Sequence, residues 1–489
     1  MTLQAKAARA IKWQAIEIGG RQLLSLVVFA TLARLLQPSD FGSVTLVGVY
    51  LALVGILTDF GVSTALIQRN NLEPRHLDSA FWFQFLTACA LCAATVLLAG
   101  PAAHLFGDPA LTSLLRWSSL SLVINASAGI QGTLFFRELD FRCPAVRTLL
   151  AGAIGGAVGV GMALFGFGVW ALVGQQLAAS LAGAIFLWHA SSWRPSLNFS
   201  FPHFRQLLAV SVSVSGVSFL HFFSSRLDQV LIGRFLGTNL LGEYIVGGKF
   251  AELAKVALQQ PLAAVSMPAL SRMQDDHPRL CNAMYRGMEP NAIVLIPCMV
   301  GLAAVAPDLV PLAFGSKWVV AAGVLQLMAI YSLVSGLFVY CHPALLTTGA
   351  MGRYLCLHVG YAVGAAIACA VGLRFGVHAV IVALILNAAW AGLLALLFLR
   401  RLIGLSPWSY LRPAIEPGAA AGVMFALVTW ARPTLNDILP LWGSVATQVA
   451  LGAVVYVCIL ALLIPGKLVA VREIAVSAFA KPVQGNTPA

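Results

Sequence analysis

About fourteen apolar stretches, each roughly 20 residues long, run nearly end to end between residues 14 and 464. None alternates apolar and polar positions. An α-helix rises 1.5 Å per residue, so about 20 residues cross the hydrocarbon of a bilayer. A membrane β-barrel would instead need strands of about 10 alternating residues. The pattern predicts an all-α, polytopic membrane protein with about 14 transmembrane helices. Composition agrees. Of 489 residues, 60% are hydrophobic and 10% charged, against about 45–50% and 25% in soluble domains. A soluble enzyme, a nucleic-acid-binding protein and a secreted disulfide scaffold are excluded on that ground.

The links between stretches are short. The longest, 266–289, carries Arg272, Asp275, Asp276, Arg279 and Arg286 and is expected to lie as a helix on the membrane surface. The net charge of +12 then follows from loop asymmetry rather than from a nucleic-acid partner. With the N-terminus cytoplasmic, 20 of the 30 Lys and Arg fall on the cytoplasmic side and 3 (Lys317, Arg374, Arg432) on the other, the remaining 7 lying within spans. One missed span would scramble this asymmetry, so it supports a multi-pass chain with both termini cytoplasmic. The nine cysteines show neither zinc nor redox spacing. The sequence points to no metal and no cofactor.

The chain repeats itself at an offset of 200: Arg34, Leu36 and Gly42 return as Arg234, Leu236 and Gly242. Each copy is a helix, a tight turn and a returning helix in the same orientation, which is a parallel repeat. Transporter sites lie at such repeat interfaces. The expected division is 1–200 as an N-terminal lobe, 201–403 as a C-terminal lobe, and 404–489 as two accessory helices with a short cytoplasmic tail.

The string from Ala33 to Gly42 (ARLLQPSDFG), followed by Asp59 to Arg69 (DFGVSTALIQR), resembles the polysaccharide-transporter family. These are the Wzx-type flippases of the multidrug/oligosaccharidyl-lipid/polysaccharide exporter superfamily. Arg226 to Gly233 (RLDQVLIG) and the turn Gly242-Glu243-Tyr244 are similar to that family's second half. The resemblance implies two pseudo-symmetric six-helix lobes around a central cavity, with two accessory helices. It implies flipping of polyprenyl-diphosphate-linked oligosaccharide across the bacterial inner membrane by alternating access, for exopolysaccharide, capsule or O-antigen (lipopolysaccharide) export. Membrane lipids, a polysaccharide polymerase and export machinery are the partners it implies; nucleic acid is not one.

Ionisable residues within spans are costly in lipid and mark candidate function. The candidate substrate-binding cations are Arg21, Arg116, Arg226, Lys249 and Lys255, suited to a diphosphate through charge-assisted hydrogen bonds. The gating or ion-coupling candidates are Glu17, Asp59, Asp228 and Glu252. Each also has a structural reading. Glu17 and Arg21, four apart, can pair on one face; Arg116 can snorkel; Arg226 and Asp228, two apart, face different neighbours; Lys249, Glu252 and Lys255 can form their own network. Arg34 and Arg234 read as clamps beside Asp40 and Glu243. Asn125, Gln131, Gln175 and Gln176 are candidate sugar contacts, and the glycines of 152–168 suit close helix packing. That glycine run has no phosphate-loop lysine, so ATP hydrolysis and a catalytic role are not expected. Two other classes remain: a cation-coupled drug antiporter, disfavoured by the basic bias of the spans, and a membrane glycan polymerase, disfavoured by short outer loops.

Overall fold

The computed structural model describes residues 3–69, 71–138 and 140–463. Among these residues every element is helical. The chain forms two compact units, Met1–Val246 and Gly247–Ala489. The first contains α1 (Leu3–Leu35), α2 (Pro38–Asp59), α3 (Val62–Gln68), α4 (Pro74–Phe106), α5 (Ala110–Ser118), α6 (Leu120–Arg137), α7 (Arg142–Leu164), α8 (Trp170–Ala190), α9 (Phe201–Phe235) and the start of α10 (Gly237–Ser271). The second contains the rest of α10, then α11 (His277–Phe314), α12 (Ala321–Leu337), α13 (Cys341–Thr347), α14 (Met351–Gly372), α15 (Val377–Ile403), α16 (Pro407–Leu411), α17 (Ile415–Ile438) and α18 (Leu441–Leu463).

Among the described residues, twelve helical segments are long and apolar enough to cross a membrane, and α9, bent between Leu208 and Val210, makes a thirteenth if counted as one span. The chain is a multi-pass membrane protein. The fourteenth expected span falls on α10. That helix has the length, but Glu243, Lys249, Glu252 and Lys255 lower its hydropathy. The expected surface helix over 266–289 does not form as a separate element. α10 continues to Ser271, and α11 starts at His277 and runs 38 residues. Its start is fixed by Asp276, whose side chain accepts the Arg279 N–H at 3.0 Å, and by Pro278 in the first turn.

Glycines set the helix spacing in the first unit. A Cβ on Gly155 would fall 2.7 Å from the Gln175 carbonyl of α8, and one on Gly156 would fall 2.6 Å from Val28 of α1. α7 thus presents one small face to each neighbour, as the glycine run over 152–168 led us to expect. The 200-residue repeat has a physical counterpart. A Cβ on Gly42 would overlap the Thr238 carbonyl, and a Cβ on Gly242 would overlap the Pro38 carbonyl. The starts of α2 and α10 therefore meet backbone to backbone in a reciprocal contact, which only glycine permits. Gly42→Ala and Gly242→Ala are each expected to lower the yield of monodisperse protein and its thermal midpoint in detergent. Gly100→Ala, where nothing lies within 4 Å, is expected to be neutral or slightly stabilising.

The second unit is organised around a large apolar core in which Met284, Met288, Leu345, Leu399 and Tyr410 are buried. A polar cluster ties its last two long helices to α11. Asp308 of α11 is 4% exposed. It accepts Arg432 Nε at 2.8 Å and a second guanidinium nitrogen at 3.0 Å, with Asn436 Nδ2 at 3.2 Å and Gln448 Nε2 at 2.8 Å.

Candidate functional site

A cavity of about 420 Å³ opens in the first unit. On α2 it is lined at positions 48, 51, 52, 55, 58 and 59, which share one helical face. Gly48, Ala52 and Gly55 leave that face nearly bare, and space remains between α2 and α6. The polar residues gather at one place. Asp59 Oδ1 accepts Ser63 Oγ at 2.5 Å and Gln84 Nε2 at 2.7 Å, and Gln84 is 3% exposed. Gln176 Nε2 donates to Ser121 Oγ at 3.3 Å. The second Asp59 oxygen and the Asn125 amide have no protein partner among the described residues and can accept or donate to a guest.

Asp59 is held there by an unusual turn. Phe60 adopts φ 45°, and Gly61 φ 71°. A left-handed conformation costs a non-glycine residue of order 1–3 kcal/mol. A Cβ on Gly61 would lie 2.6 Å from the Ser211 carbonyl of α9, so glycine is required at that step. The DFG string of the sequence is this turn. A second hollow, of about 440 Å³, lies beside Asp40 and Asp108. Their carboxylates are engaged by Gln37 N–H at 2.9 Å and by Ser43 Oγ at 3.1 Å.

In the second unit, Lys255 places its ammonium over the Tyr331 ring, 5.5 Å from the centroid. No carboxylate lies within ion-pair distance of it among the described residues. Tyr331 and Tyr361 share a hydroxyl hydrogen bond of 2.7 Å, and Asn387 Nδ2 donates to the Tyr361 carbonyl at 3.1 Å. Tyr354 and His358 lie on the same face of α14 as Tyr361, at spacings of three and four residues. The His342 ring meets both, with centroids 6.3 and 5.1 Å away. The result is one cation beside a row of aromatic and imidazole rings.

The structure sorts the other candidates. Glu17 and Arg21 do not pair: Glu17 Oε1 accepts Thr148 Oγ1 at 3.1 Å, and Arg21 is exposed. Arg116 is also exposed and donates to the Val96 carbonyl at 3.2 Å. Arg226 reaches Gln229 Oε1 at 3.2 Å, while Asp228 accepts the Tyr244 hydroxyl. Lys249 pairs with Glu252 at 3.3 Å, so Lys255 is the member of that stripe left outside the pair. Arg234 lies over the Phe235 ring at 5.6 Å, and Asp40 caps α2. Of the four amides, Asn125 and Gln176 line the cavity; Gln131 is fully buried, and Gln175 packs against the glycine face of α7. Sequence reading missed Gln84 and the ring row of α14. Nothing local marks either, since each acquires its neighbours only on folding. It also missed Glu73, His76 and His203, whose ligand atoms lie within 4.8 Å of one another.

A family model described as polysaccharide biosynthesis protein matches residues 31–323, which take in the cavity of the first unit, the repeat contact and Lys255. The chain belongs to that family. It is 28% identical over 330 residues to the succinoglycan biosynthesis transport protein ExoT of Rhizobium meliloti (strain 1021), covering 67% of each chain. It is 27% identical over 336 residues to the lipopolysaccharide biosynthesis protein WzxC of Escherichia coli (strain K12), covering 68% of each. Its fold is similar to a lipid II flippase, MurJ, in an inward closed conformation. That comparison has a TM-score of 0.75 and 14% identity and covers 94% of this chain and 100% of the other.

Proposed function

We propose that the chain flips a polyprenyl-diphosphate-linked oligosaccharide across the bacterial inner membrane by alternating access, in the assembly of an exported polysaccharide. Family membership, with relatives named for polysaccharide transport and biosynthesis, is the observation that carries this reading. The physical problem is that a charged, hydrated head cannot enter hydrocarbon unaided. A polar path removes that cost while the lipid tail stays in the bilayer. Lys255 supplies a cation for the diphosphate, and the ring row beside it offers faces on which sugars stack. Asp59, Asn125 and Gln176 supply donors and acceptors for glycan hydroxyls. The chain acts as a transporter and not as a catalyst. The loop asymmetry supports cytoplasmic termini; the segment 464–489, including Lys467, Arg472 and Lys481, lies outside the described residues. The division at 1–200, 201–403 and 404–489 and partnership with a polymerase and export machinery belong to the same reading.

Reconstitution with a fluorescent lipid-linked oligosaccharide tests it. Wild-type vesicles are expected to expose the glycan to a membrane-impermeant quencher or glycosidase faster than empty vesicles, and equal rates would overturn the proposal. Asn125→Leu together with Gln176→Leu is expected to slow transport several-fold while leaving the thermal midpoint unchanged. If the double variant transports at the wild-type rate, the cavity has no part in glycan contact.

A further inference from the structure

Glu73, His76 and His203 come from two distant stretches, with Glu73 and His203 separated by 130 positions. The first two open α4 and the third lies in the first turn of α9. His203 Nε2 stands 3.2 Å from Glu73 Oε2. The two imidazoles meet edge to face with centroids 4.7 Å apart. Each of the three can offer a ligand atom within 4.8 Å of the others. Tetrahedral zinc, with bonds of about 2.0–2.2 Å, sets its ligand atoms about 3.3 Å apart. The His203–Glu73 separation already matches that edge; the third ligand atom lies within 4.8 Å, and His76 must turn from the Glu73 backbone N–H to complete the set.

The surrounding hydrogen bonds orient the lone pairs. The Arg69 guanidinium donates to Gln206 Oε1, which fixes that oxygen as an acceptor. His76 Nε2, 3.2 Å from the same oxygen, therefore carries the proton. Its lone pair is then on Nδ1, where it holds only the Glu73 backbone N–H at 3.2 Å. His203 Nδ1 lies 2.6 Å from Ser200 Oγ. A hydroxyl can donate or accept, so His203 can move its proton to Nδ1 and keep Ser200 as partner; Nε2 then gives up its hydrogen bond to Glu73 and offers its lone pair to an ion that Glu73 also ligates. Imidazoles anchored through the second nitrogen to an oxygen are the usual support of a metal ligand. Glu73 is exposed, which gives an ion access and leaves room for water in a fourth position.

We propose that Glu73, His76 and His203 bind one divalent transition-metal ion, for which zinc is the best match to two imidazoles and a carboxylate. The bound ion would cross-link the start of α4 to the start of α9. The link between α8 and α9 is already fastened to α4. Asp78 accepts Ser196 N–H at 3.0 Å, Ser79 Oγ accepts Ser200 N–H at 2.9 Å, and Trp82 Nε1 donates to the Ser196 carbonyl at 2.7 Å. The metal therefore completes a clamp within the first unit, between α4 and the link that leads into α9. This inference does not depend on the transported substrate.

The test uses the full chain, purified in detergent with a tag free of histidine and stripped with a chelator. Zinc is titrated calorimetrically, and Co²⁺ is added separately to read tetrahedral coordination from its visible spectrum. The wild type is expected to bind one equivalent of zinc and to gain a higher thermal midpoint on binding. Glu73→Gln and His203→Ala are each expected to weaken zinc binding at least tenfold and to abolish the midpoint gain. Their metal-free midpoints should stay near the wild-type value; a variant that fails this control is replaced by Glu73→Ala or His203→Asn. Absence of zinc binding by the wild type, or binding that survives either substitution, overturns the proposal.

Discussion

Asp308→Ala is expected to be the most destabilising single substitution at a charged position in the second unit, costing about 3 kcal/mol. Its carboxylate is buried and accepts four donors from three residues of α17 and α18. Removing it leaves a guanidinium and two amides without their acceptor. Breaking a buried pair from one side costs about 3–5 kcal/mol. The Arg432 side chain is 34% exposed and can turn to water, which places the effect at the lower end. Asp308→Leu combined with Arg432→Met should cost less than Asp308→Ala alone, because no charge is then stranded. Thermal unfolding in detergent, followed by loss of the monodisperse species, measures both variants. A double variant less stable than Asp308→Ala would show that the ion pair itself, rather than relief of a stranded charge, holds α17 and α18 to α11.

The sequence exposed the Asp308 cluster poorly. Asp308 and Arg432 are 124 positions apart, and each reads alone as an ordinary residue near a helix end. The same limit explains which parts of the fold were legible. Helix class and approximate spans follow from the length of the apolar runs, a local property. The recurrence of Gly42 as Gly242 was visible as a repeat, since a backbone approach leaves glycine at both copies, but the contact between the copies was not. The partition of charges was not visible. Lys249, Glu252 and Lys255 form one stripe in sequence, but rotamers and neighbours decide that Lys249 takes Glu252 and Lys255 takes the Tyr331 ring. Glu17 and Arg21 show the reverse case: their spacing permits a pair, and tertiary contact gives Glu17 to Thr148 instead. The 266–289 link misled because its charges resemble a surface helix, whereas α11 absorbs Arg279 and Arg286 into its first turns.

Lys255→Glu is expected to reduce transport of a diphosphate-linked glycan by more than tenfold. A tenfold change in rate corresponds to about 1.4 kcal/mol, and a desolvated like-charge encounter costs several. The ammonium rests on a ring face, an interaction worth about 0.5–2 kcal/mol, so its structural contribution is modest. Lys255→Met keeps the length and apolar packing over Tyr331 while removing the charge. It is expected to slow transport less than Lys255→Glu, with little change in thermal midpoint. Lys255→Arg keeps the charge and the ring contact and should stay within a few-fold of wild type. Tyr331→Phe leaves the cation–ring contact and removes only the hydroxyl bonded to Tyr361, so a small effect is expected. Transport rates in vesicles, each normalised to folded protein, separate these outcomes. If Lys255→Met equals wild type and Lys255→Glu loses stability rather than rate, the lysine is a packing residue and the anion is held elsewhere. A graded series, with Arg near wild type, Met intermediate and Glu lowest, at constant stability, has no packing explanation, because Met fills the space that Lys fills. A negative charge on the transported head orders the three variants in that way.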